Sequence, residues 1–267
     1  MGAPILRRAC RRFLNIVPMP ARLPYGSWFL AHNDLVRFPF TMCNLDEGEW
    51  RFVARMLKPG MTVLDLGASN GFYTLLAAQR VKPGGRVVAF EPSPRERRRL
   101  LLNLFVKGLL GRVLVVPKAV GEVPGEAAFF VVQGVNTGYN TLQAVQVEVP
   151  TRQISVPVTS LDTFLAEQKI THVDFIKMDI AGAELPALRA ARNLLAQRPR
   201  PLIMAEVGDA HSAGWNYRAP DLYDFLLVNG YKCFQIDATG GLVPQLREGP
   251  YRANLVALPA EASPEVF

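Results

Sequence analysis

The sequence has few cysteines and no long apolar run. Cys10, Cys43 and Cys233 lie far apart and form no C-x-x-C pair, which indicates neither a disulfide framework nor a zinc site. No stretch approaches the ~18 apolar residues of a membrane-spanning helix. The N-terminal residues also lack the unbroken apolar centre of a secretory signal. We therefore expect a cytoplasmic protein.

Two phosphate-binding motifs are absent as well. A P-loop requires Gly-Lys-Ser/Thr, and this triplet does not occur. A dinucleotide fingerprint requires G-x-G-x-x-G, but Ser69 and Phe72 stand where the second and third glycines would follow Gly67. These motifs therefore do not predict a site for nucleoside triphosphates or dinucleotides.

Positive charge is concentrated near the N-terminus of this chain of 267 residues, whose formal net charge is +7. Four arginines between Arg7 and Arg12 alternate with apolar residues, a pattern of basic amphipathic helices on anionic membranes and also of solvated arms. We expect residues 1–40 to form a basic arm and lead-in segment, with weak peripheral membrane contact as one role, and 41–267 to form one domain. A second cluster, Arg95 to Arg99, is expected on a solvated helix face.

The remaining chain alternates short β-branched runs with helical stretches. This order predicts an α/β fold with a mostly parallel, seven-stranded sheet, helices on both faces, and a β-rich excursion over about 122–158 after the third strand. In such sheets ligands bind at the carboxyl ends of the strands, where the strand order reverses. The residues that end predicted strands are Gly67, Glu91, Lys118 with Ala119 after it, Asp179 and Glu206.

The stretch VLDLGASNGFYTLL, residues 63–76, predicts a strand, a glycine turn and a helix. Gly67 and Gly71 allow the backbone to pass close to a ligand without forming a phosphate site. Glu91 ends the next strand, where a carboxylate can accept both hydroxyls of a ribose. Together they predict a pocket for S-adenosylmethionine, with Asp65 meeting its ammonium group directly or through water. The alternative is an ordinary βα turn beside an exposed glutamate.

The segments VLDLGASNGFYTLL, VVAFEPSP and FIKMDIAGAELPALRAA, followed by PLIMAEV, resemble the FkbM-type family of S-adenosylmethionine-dependent O-methyltransferases. The resemblance covers roughly residues 45 to 237. It implies a Rossmann-like class I methyltransferase fold and a hydroxyl acceptor on a sugar, glycan or other small molecule. The cofactor contacts that it implies are Gly67, Ala68, Asn70, Gly71 and Glu91. Family positions near the reaction are Asp179, Gly182, Glu184 and Glu206.

One position departs from the family pattern. The family usually has a second acidic residue before the glycine at position 182, and this chain has Ala181. A hydroxyl acceptor needs a base or a metal to take its proton. Asp179 is the first candidate and Glu184 and Glu206 are the others; a divalent cation bound by these carboxylates is the alternative. Asp179 and Glu184 would equally suit the N-terminal amides of the following helix.

Further candidates lie in predicted loops. His211 is a possible base, with Trp215 and Tyr217 as an aromatic lid, although a lone loop histidine often has no such role. Lys177 is expected to border the cleft or to pair with a carboxylate. Asn140 and Thr141 are candidate substrate contacts within the β-rich excursion, which would otherwise be a structural hairpin.

Two rival functions stay open at this point. The arginine clusters suggest a nucleic-acid methyltransferase, but no Asn/Asp-Pro-Pro-Tyr motif follows the fourth strand and no RNA-binding module is recognisable. A non-catalytic protein that keeps the cofactor pocket is the second rival. The intact glycine turn, Glu91 and Asp179 favour an enzyme.

Overall fold

The computed structural model describes residues 18–32, 47–133, 140–143, 150–208, 212–251 and 254–262. Its strands are β1 (Met19–Arg22), β2 (Trp28–Ala31), β3 (Thr62–Leu66), β4 (Arg86–Phe90), β5 (Val113–Val116), β6 (Ala119–Val120), β7 (Gly125–Val132), β8 (Thr151–Thr159), β9 (Phe175–Met178), β10 (Leu202–Glu206), β11 (Tyr231–Ile236), β12 (Leu242–Pro244) and β13 (Asn254–Pro259). Its α-helices are α1 (Glu47–Met56), α2 (Phe72–Val81), α3 (Pro94–Val106), α4 (Leu161–Glu167), α5 (Glu184–Arg189), α6 (Arg192–Ala196) and α7 (Ala219–Val228). Within these ranges, no helix is long and apolar enough to cross a membrane.

The central sheet has eight strands in the order β12-β11-β13-β10-β9-β3-β4-β5. The five strands from β10 to β5 are mutually parallel, and β13 pairs antiparallel with both β10 and β11. The predicted mostly parallel, Rossmann-like α/β fold is confirmed. The count of seven strands omitted β12, because this short and largely exposed partner of β11 has no alternating apolar pattern.

Helices cover both faces of this sheet. Alternate residues of each strand face opposite sides, so Leu64 and Leu66 belong to one apolar cluster and Val63 to the other. The first cluster includes residues of α4 to α7, and the second includes residues of α1 to α3. The near-continuous apolar runs of β3, β4 and β9 follow from this burial on both sides.

The β1–β2 hairpin lies within the predicted lead-in segment. Leu23, Phe29 and Ala31 are buried in the same apolar cluster as α1 to α3. The backbone amide of Leu30 donates to Asn103 Oδ1 of α3 at 2.6 Å. The hairpin thus packs on the domain. Residues 1–17 lie outside the described residues, and the predicted division at residue 40 stays a prediction.

The predicted β-rich excursion forms a separate three-stranded sheet. Its order is β6-β8-β7, with β7 and β8 antiparallel along their length. Thr141 forms a bridge with Phe130 of β7, and its hydroxyl donates to the carbonyl of Ala181 at 3.3 Å. This contact holds residues 140–143 against the carboxyl end of β9.

Gly67 lies where the strand order of the main sheet reverses, between β3 and β9. Its φ is +82°, and a Cβ at this position would lie 1.9 Å from the carbonyl oxygen of Asp179. The glycine is therefore required by the neighbouring backbone, independently of any ligand.

Replacement of Gly67 by alanine should destabilise the fold more than the same change at Gly60. Both residues have a left-handed backbone, which costs alanine about 1–2 kcal/mol. Only at position 67 would the new methyl group meet backbone atoms, since nothing lies within 4 Å of the corresponding Cβ at position 60. Urea unfolding of Gly67→Ala and Gly60→Ala measures the difference, and equal losses would contradict the close approach to β9.

Candidate functional site

The carboxyl ends of β3, β4, β5 and β9 meet at a cleft that encloses about 740 Å³, part of it open to solvent. The predicted residues that line it are Gly67, Glu91, Lys118, Ala119 and Asp179. Asn140 also lines it, as expected for a contact from the β-rich excursion. Lining residues that the sequence reasoning missed are Ser69, Phe90, Pro92, Glu96, Val120, Phe129, Leu142 and Ile180.

The glycine turn connects the cleft to the strand beside it. The backbone amides of Gly67 and Ala68 both donate to the carbonyl of Phe90, at 3.0 and 2.9 Å. Gly71, with a φ of +97°, is the N-cap of α2. Ala68, Asn70 and Gly71 are buried and are not among the lining residues. Their contact with the cofactor therefore stays a prediction, whereas Gly67 and Ser69 form the cleft wall.

Glu91 is the most constrained carboxylate of the cleft. It is buried, and its two oxygens each accept a 2.8 Å hydrogen bond, from the backbone amides of Ser69 and Ser93. Burial, and then the charge of Glu96, raise its pKa to about 8. Glu91 thus fixes the glycine turn to the start of α3. Ser93 is the N-cap residue of α3, which begins at Pro94.

Asp65 lies beneath the turn and outside the lining set. Its side chain is buried and accepts a hydrogen bond from the hydroxyl of Thr74. Burial raises its pKa to about 6, while Thr74 and the charge of Lys177 oppose the shift. The predicted contact between Asp65 and an ammonium group, directly or through water, stays a prediction.

Asp179 lies at the rim of the cleft with 47% of its side chain exposed. Lys177, buried behind it, places its Nζ atom 3.8 Å from Asp179 Oδ2, so the expected pairing of Lys177 with a carboxylate is confirmed.

Lys177 also donates to the carbonyl of Met178 at 3.0 Å and to Asn254 Oδ1 at 3.1 Å. The amide of Asn254 donates in turn to Glu49, which accepts a 3.2 Å bond from the Tyr73 hydroxyl. The ion pair is therefore held from β9, β13, α1 and α2.

The Glu184 side chain faces the protein interior and bonds to the turn before α5, and a catalytic role for it stays a prediction. Its carboxylate is 1% exposed, accepts a 2.9 Å bond from the backbone amide of Ile180 and a 3.3 Å bond from the Tyr217 hydroxyl. Burial raises its pKa. Tyr217 is itself buried in the core, which does not support a lid role for it.

Two further candidate bases were predicted from the sequence, Glu206 and His211. Glu206 ends β10 opposite Asn254 and is not among the lining residues. His211 lies outside the described residues. Within the described ranges, no group of three or more His, Cys, Asp or Glu side chains is arranged to hold a metal ion. A catalytic part for Glu206 or His211, and a divalent cation, stay predictions.

The lining of the cleft fits a nucleoside. Phe129, Leu142 and Ile180 supply apolar walls, and Glu91 adds a carboxyl group beside them. A model of the methyltransferase FkbM domain matches residues 65–233 of the sequence. The chain belongs to the FkbM methyltransferase family. The family predicted from the sequence is confirmed, and S-adenosylmethionine is the cofactor that goes with it.

Three curated proteins illustrate the similarity. The AMB antimetabolite synthetase AmbE of Pseudomonas aeruginosa is 27% identical over 208 residues, which are 66% of this chain and 10% of that protein. The 2-O-methyltransferase NoeI of Sinorhizobium fredii is 25% identical over 159 residues, 55% of this chain and 64% of NoeI. The 31-O-demethyl-FK506 methyltransferase FkbM of Streptomyces tacrolimicus is 27% identical over 210 residues, 65% of this chain and 80% of that protein. The chain thus spans from a tenth to four fifths of these relatives.

The stability of the fold should fall as the pH rises toward 8, because Glu91 must ionise in a buried site. Unfolding returns this carboxyl group to its ordinary pKa of 4.5, so between pH 4.5 and 8 the folded state binds more protons than the unfolded state. Its contribution to the free energy of unfolding therefore decreases, by up to ~1.4 kcal/mol per pH unit. Urea unfolding from pH 6.5 to 9 measures this loss.

The variant Glu91→Gln should flatten the profile above pH 7, where Asp65, with its pKa of about 6, is already mostly ionised. Glu122→Gln, at an exposed glutamate, should keep the wild-type slope. A wild-type slope in Glu91→Gln would contradict the assignment.

Proposed function

We propose that this protein transfers a methyl group from S-adenosylmethionine to a hydroxyl group of a small molecule or glycan. The observation that carries the proposal is the position of Asp179. Among the carboxylates that line the cleft, Glu91 and Glu96 are buried, whereas the Asp179 side chain is about half exposed at the rim. Asp179 is thus the lining carboxylate that an incoming hydroxyl group can reach.

The acceptor in this proposal is a hydroxyl group because of both chemistry and similarity. NoeI is named a 2-O-methyltransferase, and FkbM is named a 31-O-demethyl-FK506 methyltransferase. An alcohol is a weak nucleophile at neutral pH, so its proton must pass to a base as the oxygen attacks. A carboxylate at the rim meets this need. Two relatives named ribosomal RNA large subunit methyltransferase E match over 40 and 41 residues, 15% of this chain, which gives little support to a nucleic-acid acceptor.

In the proposed mechanism Asp179 accepts the proton of the acceptor hydroxyl on a carboxylate oxygen. The ammonium of Lys177, 3.8 Å behind it, stabilises the ionised form. Because Lys177 is held by Asn254 and the carbonyl of Met178, the carboxylate keeps a defined position relative to the cleft. Alignment of the attacking oxygen is the larger contribution, worth about 7–11 kcal/mol in well-oriented reactions.

The cofactor would be held mainly by the ends of β3 and β4. Each oxygen of Glu91 uses one acceptor site for a backbone amide, and in this proposal the carboxyl group uses its remaining hydrogen-bonding capacity for the ribose hydroxyls. Gly67, Lys118 and Ala119 contact it from the cleft walls in this proposal. Bound there, S-adenosylmethionine supplies a methyl group activated by the adjacent sulfonium. A cytoplasmic location and a role for the N-terminal arm stay predictions from the sequence.

Replacement of Asp179 by asparagine should reduce turnover while it preserves cofactor binding. Loss of a general base lowers rates by about 10²–10⁴-fold, and the amide keeps the shape of the side chain. The measurement is formation of S-adenosylhomocysteine with a panel of hydroxylated acceptors, with calorimetric binding of the same compound as the second readout.

Glu122→Gln serves as the control for a lost surface carboxylate. Wild-type turnover in Asp179→Asn would exclude Asp179 as the base. Loss of binding together with turnover would instead make it a cofactor ligand.

A further inference from the structure

Basic residues collect at the edge of the sheet opposite the cleft. This amino-end face consists of the loops that lead into β3, β4, β5, β9 and β10, together with the C-terminal turns of the preceding helices. A surface groove at the ends of α1 and α2 is lined by Arg55, Lys58, Arg80 and Lys82. Its lining, as the structure describes it, includes no acidic residue.

A second groove on the opposite side of the sheet has the same character. It lies between α5, α6 and the end of α7 and is lined by Arg189, Arg192, Arg198 and Arg200. Glu122 also lines it, and Glu261 pairs with Arg200 at 2.7 Å. Even with these two acids the groove retains excess positive charge.

Further basic side chains lie near this face outside the lining of the two grooves. Arg86 pairs in register with Thr62, at the start of the parallel strands, and Arg112 immediately precedes β5. Lys169 lies in the loop before β9, and all three are exposed. Asp174 lies at the same edge, where its carboxylate accepts a 2.7 Å bond from the backbone amide of Thr62. The positive charge therefore extends beyond the two grooves along this face.

Exposed apolar side chains accompany this charge. Phe105 and Val106, at the end of α3, are 67% and 50% exposed, and Leu110 in the following turn is 44% exposed. They lie close in sequence to Lys107 and Arg112. An exposed phenylalanine gives no stabilisation to a surface that contacts only water. Basic residues around apolar ones are typical of proteins that lie on a lipid interface.

The carboxylates described above occupy the other end of the molecule. Asp65, Glu91, Asp179 and Glu206 all lie at or just before the carboxyl ends of their strands. The basic amino-end face gives the molecule one favourable orientation on an anionic surface. In that orientation the amino-end face contacts the surface and the cleft faces away from it.

We propose that the amino-end face binds an anionic lipid bilayer, with Phe105, Val106 and Leu110 entering the interface and the grooves contacting headgroups. A second copy of the chain fits poorly, because its own basic face would be repelled. Nucleic acid matches the charge but has no need of the apolar residues. The proposal stands apart from the proposed function, since it depends on neither cofactor binding nor catalysis at the cleft.

Co-sedimentation with vesicles tests the proposal. The full chain is expected to bind phosphatidylcholine vesicles that contain about one third phosphatidylglycerol, and not phosphatidylcholine alone, with binding that weakens from about 0.1 to about 0.5 M NaCl. Lys58→Glu/Lys82→Glu should lower the partition coefficient at least tenfold, because each basic residue near an anionic surface contributes about fivefold. The matched control is Arg152→Glu/Arg218→Glu, which changes the total charge equally at exposed positions away from this face.

A neutral substitution separates membrane binding from general attraction of anions. Phe105→Ser should reduce vesicle binding severalfold and leave retention on duplex RNA unchanged. Val243→Ser, at a valine that is 50% exposed on β12, should change neither. Equal losses in the two charge-reversed variants, or unchanged vesicle binding by Phe105→Ser, would overturn the proposal. Thermal melts of all variants establish that each is folded.

Discussion

The geometry of the cleft depends on the backbone contact between the glycine turn after β3 and the end of β9. Leu66 and Met178 are paired in register, and the amide of Asp179 donates to the carbonyl of Leu66 at 2.9 Å. A side chain at position 67 would collide with the carbonyl of Asp179. After β3 the chain continues into α2 on one face of the sheet, and after β9 it continues into α5 on the other face. A crevice therefore opens where the ends of these two strands meet. One contact therefore sets the distance between the cofactor wall and the candidate base.

Buried carboxyl groups are the second feature on which the site depends. Asp65, Glu91 and Glu184 are all buried near the ends of β3, β4 and β9, and burial raises the pKa of each. Backbone amides or a hydroxyl satisfy each carboxylate, which offsets part of the cost. The same bonds hold the glycine turn, the start of α3 and the turn before α5 in place. The carboxylates thus rigidify the cleft that the exposed Asp179 serves.

The strand ends were predictable from the sequence because they depend on local pattern. The alternation of apolar runs and turns located β3, β4 and β9, and with them Gly67, Glu91 and Asp179. Side-chain direction was not predictable in the same way. Glu184 follows Asp179 closely in sequence, yet it turns inward to Tyr217, 33 residues away. Local pattern cannot distinguish a carboxylate that caps its own turn from one that faces a ligand.

The hydrogen bonds that hold Lys177 behind Asp179 were even harder to predict from the sequence. Lys177 bonds to Asn254, 77 residues later in the chain, and Asn254 bonds to Glu49, 205 residues earlier. Both partners lie outside the segment that matches the family model. Each is an ordinary polar residue in its own element, and only the insertion of β13 beside β10 brings them together. The packing of the β1–β2 hairpin on α3 depends on tertiary contacts of the same kind.

The central claim is that the cleft beside Glu91 holds the cofactor. Calorimetric titration with S-adenosylhomocysteine, for the wild-type chain and for Glu91→Ala with its fold verified by circular dichroism, tests it most directly. The account predicts binding by the wild type that is lost in Glu91→Ala and retained in Glu122→Ala. Binding of equal strength in all three proteins, or no binding by the folded wild type, would contradict it.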